Sequence, residues 1–464
     1  LLGRLRGGVQ PIAAALSGLT TLALEVFFIR MLVNQTDGSS FSFALILCIF
    51  LISLALGAAL CAVMIDRVEN PWHIVSWAGC LAALGTFLAP LGFVVSQSLL
   101  PDLARSFGYW MSIMTVSGLL MVPTVLASGM VLPALWRMAS SNLREVGGQV
   151  GRLTAINTLA GVVGSLGAAF FLLPAIGIVS GFGVLALMFS LLACVGFYQS
   201  NRGWARVGSL AAVSGLSLWA FSAESWHVPM LSLSEGEEVV FYKEGEAGTV
   251  AVTRMPRGSL RLRVNDRYTL TSSVPEAIRA QRSQARLALS FVEEPRSAAF
   301  IGVGGGISMS ALSEFPDVER IVAMELIPGV LEAAPRFGLA NRNILDDARV
   351  EVVQADGRNH LYGRTERFDV IVGDVFSPWH AGTGYLFTAE HFDAVRRRLS
   401  EQGVFVQWLQ ADQFSAEEMR IVVATFLDVF PRGELWMTRK AGPVPLLGLV
   451  GQAEGYSERR PRLQ

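Results

Sequence analysis

The second half of the chain holds residues whose types and spacing can do chemistry. Phe300-Ile301-Gly302-Val303-Gly304-Gly305-Gly306 runs an apolar strand into a glycine-rich turn; Glu325 closes the next apolar run, and Asp356-Gly357 and Asp374 follow. Glycines at a strand end let backbone approach a ligand, and a carboxylate one strand further on can take two ribose hydroxyls. A doubly wound sheet holds a nucleoside-bearing cofactor in this way. Four such positions in register with four successive strand ends are harder to reach by chance than any one alone. Asp374 is placed to act as a general base, the competing use being a helix cap or turn before Pro378. His360 and His380 are the remaining acid–base candidates, and no cluster with metal-ligand spacing stands out, so no metal is expected.

The elements that must position these residues alternate. Strands are expected at Ala298–Val303, Arg320–Glu325, Val350–Gln354, Phe368–Val372 and Gly403–Trp408, and helices at Ile307–Glu314, Gly329–Phe337 and Thr388–Arg398. Alternation of this kind means a mostly parallel sheet covered on both faces. Ahead of it, Glu238–Lys243, Gly248–Arg254 and Ser259–Val264 read as short strands with a turn at Asn265-Asp266, and Pro275–Val292 as a polar helix.

Composition divides the chain. Of 464 residues 52% are hydrophobic and only 16% charged, against nearer a quarter charged in soluble proteins. The charges gather after about residue 223, so one domain is expected in lipid and one in water. The net charge of −1 gives no hint of nucleic-acid binding. Cys48, Cys61, Cys80 and Cys194 all lie in apolar segments, which excludes disulfides and cysteine metal sites from the polar half. No cleavable signal peptide is evident, the first apolar run being too long for one, and the chain lacks an initiator Met.

Seven spans are expected in the apolar half: Val9–Leu32, Phe41–Ile65, Ile74–Val95, Tyr109–Trp136 (kinked at Pro123 and Pro133), Leu153–Leu173, Ile178–Tyr198 and Ala205–Phe221. Eight arginines (4, 6, 67, 137, 144, 152, 202 and 206) fall on one side and only Arg30 and Arg105 on the other, so the first side should be cytoplasmic. Seven crossings would then put the polar domain outside, whereas its cofactor chemistry favours the cytoplasm. Glu25 and Arg30 in the first span are either functional or a structural pair. Gly161, Gly164, Gly167, Ala168 and Ala169 point to close helix packing.

Residues from about 238 to 410 resemble the spermidine synthase (polyamine aminopropyltransferase) family. The apolar half resembles the amino-terminal region of its membrane-fused members, through Ser17-Gly18, Leu22-Ala23-Leu24-Glu25 and Asn157-Thr158. The resemblance implies an α-helical transmembrane bundle of about seven spans, followed by an α/β Rossmann-like domain of the spermidine synthase/methyltransferase type with a small N-terminal β-region. The boundaries are 1–222 for the transmembrane domain, 223–272 for the β-region and 273–464 for the catalytic domain. It implies that Gly302, Gly304, Gly305 and Gly306 form the nucleoside loop, that Glu325 holds the ribose, and that Asp356-Gly357 meets the adenine. Asp374, in Val372-Gly373-Asp374-Val375-Phe376-Ser377-Pro378, matches the catalytic Asp, and Leu386-Phe387-Thr388 the tripeptide that follows. S-adenosylmethionine or its decarboxylated form would be the substrate, and 5′-methylthioadenosine the product. The implied setting is a multi-pass protein of the cell (inner) membrane with the lipid bilayer and a small-molecule substrate as partners; a homodimer is one oligomeric option.

The departures from the family pattern bear on substrate. The family's loop Asp falls on Gly305, the second Asp of its Asp-Ser-Ser-Asp-Pro is Ser377, and its Tyr-His-Glu falls on Ala280-Gln281-Arg282. Acids that grip a cationic amine are gone, which weakens a site for putrescine. Arg282 offers a partner for a carboxylate, favouring intact S-adenosylmethionine, unless it is a surface residue beside Arg279 and Arg286. Gln281, Arg282, Phe376, Ser377 and His380 are therefore the candidate substrate residues. The expected reaction cleaves the sulfonium carbon–sulfur bond and releases methylthioadenosine, by cyclisation, elimination or alkyl transfer. The alternatives are conventional transfer to putrescine, a non-catalytic sensor coupled to a transporter-like membrane part, and a methyltransferase.

Overall fold

The structure, a computed structural model, describes residues 2–36, 38–139, 146–200, 230–437 and 445–453, together with Gly208 and Gly215. The chain forms two compact units, Leu1–Ser232 and Leu233–Gln464. The expected boundary at residue 222/223 lies outside the described residues.

The first unit is helical: α1 (Leu2–Val33), α2 (Ser40–Met64), α3 (Trp72–Phe107), α4 (Tyr109–Gly129), α5 (Val131–Ala139), α6 (Val146–Gly167) and α7 (Leu173–Gln199). Among the described residues, five stretches are long and apolar enough to cross a membrane: Gly8–Val33, Ser40–Arg67, Trp72–Leu100, Tyr109–Met138 and Val146–Gln199. The last has 54 residues, more than twice the ~20 that a bilayer needs. It leaves the helical conformation at Gly177 (φ 77°, ψ 179°), so it holds the fifth and sixth expected spans as two legs. A wide turn over Ala168–Leu172 precedes the break, where the ring of Pro174 would otherwise press on the carbonyl one turn back. The seventh expected span falls outside the described residues apart from Gly208 and Gly215.

Small residues set α1 against α6. A Cβ on Gly18 would overlap the backbone of Asn157, and one on Gly164 the backbone of Leu19, while Gly161 faces Leu22. Asn157 Nδ2 donates to the Ala14 carbonyl at 2.9 Å. Lipid leaves helices little hydrophobic reason to associate, so close backbone approach and such bonds hold them together. Gly167 has open space around it and is not part of this contact. Glu25 makes no ion pair with Arg30 or with any other described residue.

The second unit begins with a four-stranded antiparallel sheet in the order β1-β2-β3-β4, of Glu238–Gly245, Gly248–Arg254, Leu260–Val264 and Arg267–Ser272. Asn265 and Asp266, at φ 49° and 60°, make the two-residue hairpin turn between β3 and β4, a conformation that Asn and Asp tolerate best after Gly. Helix α8 (Pro275–Ser290) leads into a seven-stranded sheet in the order β10-β11-β9-β8-β5-β6-β7. Its parallel strands are β5 (Ser297–Ile301), β6 (Arg320–Glu325), β7 (Val350–Gln354), β8 (Phe368–Gly373) and β9 (Leu399–Gln410). Strands β10 (Glu434–Met437) and β11 (Leu446–Gln452) add antiparallel.

Helices α9 (Pro328–Ala333), α10 (Gly357–Gly363), α11 (Ala389–Arg397) and α12 (Ala416–Val429) connect the strands. Thr388 caps α11 by accepting the His391 N–H at 3.3 Å, with Glu390 in its first turn and Arg396 and Arg397 in its last, as the helix dipole favours. Ser415 and Glu418 form a capping box on α12. One core, around Phe300, Val370, Val406 and Trp408, lies on one side of the sheet. Another, around Ile371, Phe392, Phe405 and Phe426, lies on the other. Strand order turns at β5, whose successor β6 lies on one side and β8 on the other. The crevice for a ligand in such a sheet is at the carboxyl ends of these strands.

Candidate active site

Strands β5 and β8 pair with Ile301 opposite Gly373, so the glycine loop and Asp374 leave the sheet side by side. The Asp374 N–H donates to the Ile301 carbonyl at 3.0 Å. Gly302, Gly304 and Gly306 all have positive φ (89°, 53° and 73°), which side chains would strain. The loop also needs the space. A Cβ on Gly302 would sit 3.1 Å from Phe376 Cζ and 3.3 Å from Asp374 Cβ, and one on Gly304 would sit 3.8 Å from Asp374 Oδ2. Asp374 Oδ1 accepts the Val375 N–H at 2.8 Å. Its Oδ2 takes no hydrogen bond among the described residues and faces the loop. Burial, with a smaller push from Glu325, raises the Asp374 carboxyl to about 6.

Glu325 ends β6 and is 8% exposed. Its Oε2 accepts the Val303 N–H at 3.1 Å and the Gly304 N–H at 3.4 Å, and its Oε1 the Ile327 N–H at 3.0 Å. Burial raises its carboxyl above the ordinary range, and the backbone bonds only partly offset this. The carboxylate therefore fastens the glycine loop as well as facing the crevice. Asp356 caps α10, accepting from the Arg358 N–H and from its guanidinium, both at 2.9 Å. Burial alone would raise this carboxyl, but the Arg358 bonds hold it below its usual range. Arg358 in turn lies 4.8 Å over the Tyr385 ring. Gly357 packs on Ile301, where a Cβ would come within 2.8 Å of the side chain, so the Asp356-Gly357 turn is seated on the end of β5.

The structure brings Gly302, Gly304, Gly305, Gly306, Glu325, Phe376 and Asp374 together. Ser377 is nearby in the loop after Asp374, its hydroxyl accepting from Gln413 at 3.3 Å. The backbone of His380 bonds to Ser377 and Thr383, and burial, with Arg267 nearby, lowers its imidazole below the ordinary value. His360 lies on α10 and is lowered by burial and Arg364. Gln281 and Arg282 do not bond to this group. Gln281 is buried, donating to Ala277 at 3.1 Å. Arg282 spends Nε on Ser310 Oγ (3.0 Å) and a terminal nitrogen on the Ala340 carbonyl (2.8 Å).

Two residues of the site went unread in the sequence. Thr271 of β4 covers the loop: its hydroxyl accepts the Gly305 N–H at 3.2 Å, and its methyl occupies the place a Gly305 side chain would take. Gln407 of β9 is fully buried and donates to the Asp374 carbonyl at 3.0 Å. The one sequence signal for Gln407 is Gly373, where a Cβ would overlap its amide.

Residues 279–438 match the family model described as spermine/spermidine synthase domain. This stretch of the second unit is similar to spermine/spermidine synthase domains. Its similarity to the polyamine aminopropyltransferase of Moorella thermoacetica is 31% identity over 154 residues, 33% of this chain and 54% of that protein. With the polyamine aminopropyltransferase of Oceanobacillus iheyensis it is 24% over 387 residues, 81% of this chain and 72% of that one. That match is longer than the second unit and so runs into the helical one. With the exception of this match, the chain spans about half the length of the first curated relatives it matches. Among solved structures, a spermidine synthase in complex with a transition-state analogue is 20% identical with a TM-score of 0.43, covering 46% of this chain and 73% of that one. Within the matched stretch, Asp374 stands beside the glycine loop with an oxygen that takes no hydrogen bond among the described residues.

Proposed function

We propose that the second unit transfers an aminopropyl group from decarboxylated S-adenosylmethionine to an amine, releasing 5′-methylthioadenosine. The observation that carries this is Asp374: raised to about 6, it places an unpaired Oδ2 against the glycine loop. The acceptor nitrogen attacks the propyl carbon bound to sulfur, the carbon–sulfur electron pair returns to sulfur, and a neutral thioether leaves. Asp374 takes the proton the nitrogen sheds. A base with a pKa near the working pH combines ionisation with basicity, and the protein otherwise has only to align the reactants. Glu325 would hold the ribose with the acceptor capacity that its loop bonds leave, and Asp356 would face the adenine.

The synthase-domain match and the relatives named polyamine aminopropyltransferase support transfer over the cyclisation or elimination expected from the missing acids. Arg282 supports that preference too, because its guanidinium is engaged by Ser310 and Ala340. The helical unit would anchor the enzyme in a membrane. The two legs of Val146–Gln199 return the chain to the arginine-rich side, which supports a cytoplasmic synthase domain. The test offers intact and decarboxylated S-adenosylmethionine together, with 1,4-diaminobutane, to the full chain. Consumption of the decarboxylated form and appearance of spermidine is the expected result. Consumption of the intact form, with no need for amine, would restore the cyclisation reading.

A further inference from the structure

Strand β9 is covered from Gly403 to Leu409, and within that apolar run lies one amide, Gln407, with 0% exposure. A primary amide shut away from water is costly unless its polar atoms are bonded. Leucine or methionine would fill such a place without that cost. Gln407 Nε2 donates to two backbone carbonyls, that of Asp374 at 3.0 Å and that of its neighbour Trp408 at 3.2 Å. Its Oε1 meets no partner among the described residues. The use of the amide therefore lies in what its nitrogen holds.

It holds the main chain of the proposed base. Gly373, the last residue of β8, pairs with Ile301 of β5 on one side and with Gln407 of β9 on the other. One residue on, the Asp374 N–H donates to the Ile301 carbonyl at 3.0 Å, and the Asp374 carbonyl accepts from Gln407. Both main-chain polar groups of Asp374 are thus tied, one to each neighbouring strand, where the sheet ends and the chain turns into the loop. Oδ1 is tied too, to the Val375 N–H at 2.8 Å, so the direction of Oδ2 follows from the backbone. The amide has room because residue 373 is glycine: a Cβ there would overlap Gln407 Oε1.

We propose that Gln407 is a positioning residue for the transfer reaction, fixing the main chain at Asp374 so that Oδ2 stays aimed at the glycine loop. It acts through Asp374 and not on the reactants. The inference rests on the transferase reading and adds to it the group that keeps the base in place. Without the amide, the Asp374 carbonyl loses its donor and the turn relaxes. Misplacement by about 1 Å can cost on the order of 10²-fold in rate. The Asp374 carboxyl is raised by burial, with a smaller push from Glu325, the charged group that acts on it. Once loosened toward water it would fall back toward the ordinary carboxylate range. A residue that only filled the core would alter neither alignment nor titration.

The test compares the full chain with its Gln407→Met variant, which keeps volume and removes the donor. The kcat of amine-dependent methylthioadenosine release should fall about 10–100-fold. KM for decarboxylated S-adenosylmethionine should stay as it is, since the glycine loop and Glu325 are untouched. The acid limb of kcat should move down by about one pH unit. Gly373→Ala, whose Cβ displaces the amide, should give the same two changes in kcat, and it decides if Gln407→Met does not fold. The Asp374 titration is also read without turnover, as the infrared band of the protonated carboxyl that Asp374→Asn removes. Wild-type protein that releases no methylthioadenosine would fail the transferase reading; the band then tests the clamp alone, and its midpoint should still be lower in Gln407→Met. A folded Gln407→Met with wild-type kcat and acid limb, or with a wild-type band midpoint, would overturn the proposal and leave the transferase reading standing.

Discussion

Asp374 owes its basicity to its position. The chain buries it between the glycine loop and Phe376, near Glu325, and its Oδ2 is left without a partner. The rate should therefore rise with pH through about 6, as the carboxyl ionises, and level off above. Asp374→Asn should abolish that limb and lower turnover by about 10²–10⁴ while methylthioadenosine still binds. A variant that keeps both limb and rate would reduce Asp374 to a turn residue. Glu325 fastens the glycine loop and, on the proposed function, also holds the ribose, so Glu325→Ala should weaken methylthioadenosine binding by about 1.5–3 kcal/mol in calorimetry and loosen the loop; unchanged affinity would contradict that role. Arg282 illustrates where sequence stops. Its charge was legible, but its bonds to Ser310 and Ala340 depend on segments 28 and 58 residues away. Arg282→Ala should cost stability, roughly 1 kcal/mol for broken, partly buried bonds, and leave the preference between the two cofactor forms unchanged in competition assays.

Among the elements, those whose composition matched their role were readable. β2, β6 and β7 lie where alternation and apolar runs put them; β2 and β6 are buried almost throughout, and a strand covered on both faces reads as a continuous apolar run. β10 and β11 were not read. β11 contains Gly448 and Gly451, which resemble loop residues until packing is seen: Gly448 lies against the Trp408 ring, and a Cβ on Gly451 would strike Phe430 at 2.6 Å. In the same way β4 was missed, and with it Thr271. Gly305 looked like a lost acid, but the β4 side chain has taken that space. Gly305→Asp alone should destabilise the second unit, because Thr271 must shift. Adding Thr271→Ala should recover part of the loss, a non-additive pair as neighbours show, measurable by thermal unfolding. Independent, additive effects would mean the two do not touch.

At the scale of the molecule, composition divided the chain, and the structure has units Leu1–Ser232 and Leu233–Gln464. Span counting was less secure, because hydropathy cannot tell a broken helix from two helices. Gly177 decides this through its conformation. Acid stability carries a further expectation. His391 is 3% exposed, neither ring nitrogen has a partner, and burial lowers it to about 4. The unfolded chain takes up this proton near 6.5 and the folded chain only near 4. The neutral ring thus favours folding above 6.5, and the advantage is lost as pH falls toward 4, on the order of 3 kcal/mol in all. Asp374 acts in the opposite sense, disfavouring the folded state as pH rises from 3.8 to about 6. His391→Phe should therefore lose less thermal stability than the wild type between pH 7 and 4.5.

The central claim is amine-dependent transfer, and its most direct measurement is product stoichiometry. The purified full chain is given decarboxylated S-adenosylmethionine with and without 1,4-diaminobutane, and products are quantified by mass spectrometry. Transfer predicts one aminopropylated amine for each methylthioadenosine, with release of methylthioadenosine collapsing when the amine is omitted. Methylthioadenosine formed at the same rate without amine, and no alkylated amine with it, would contradict the account.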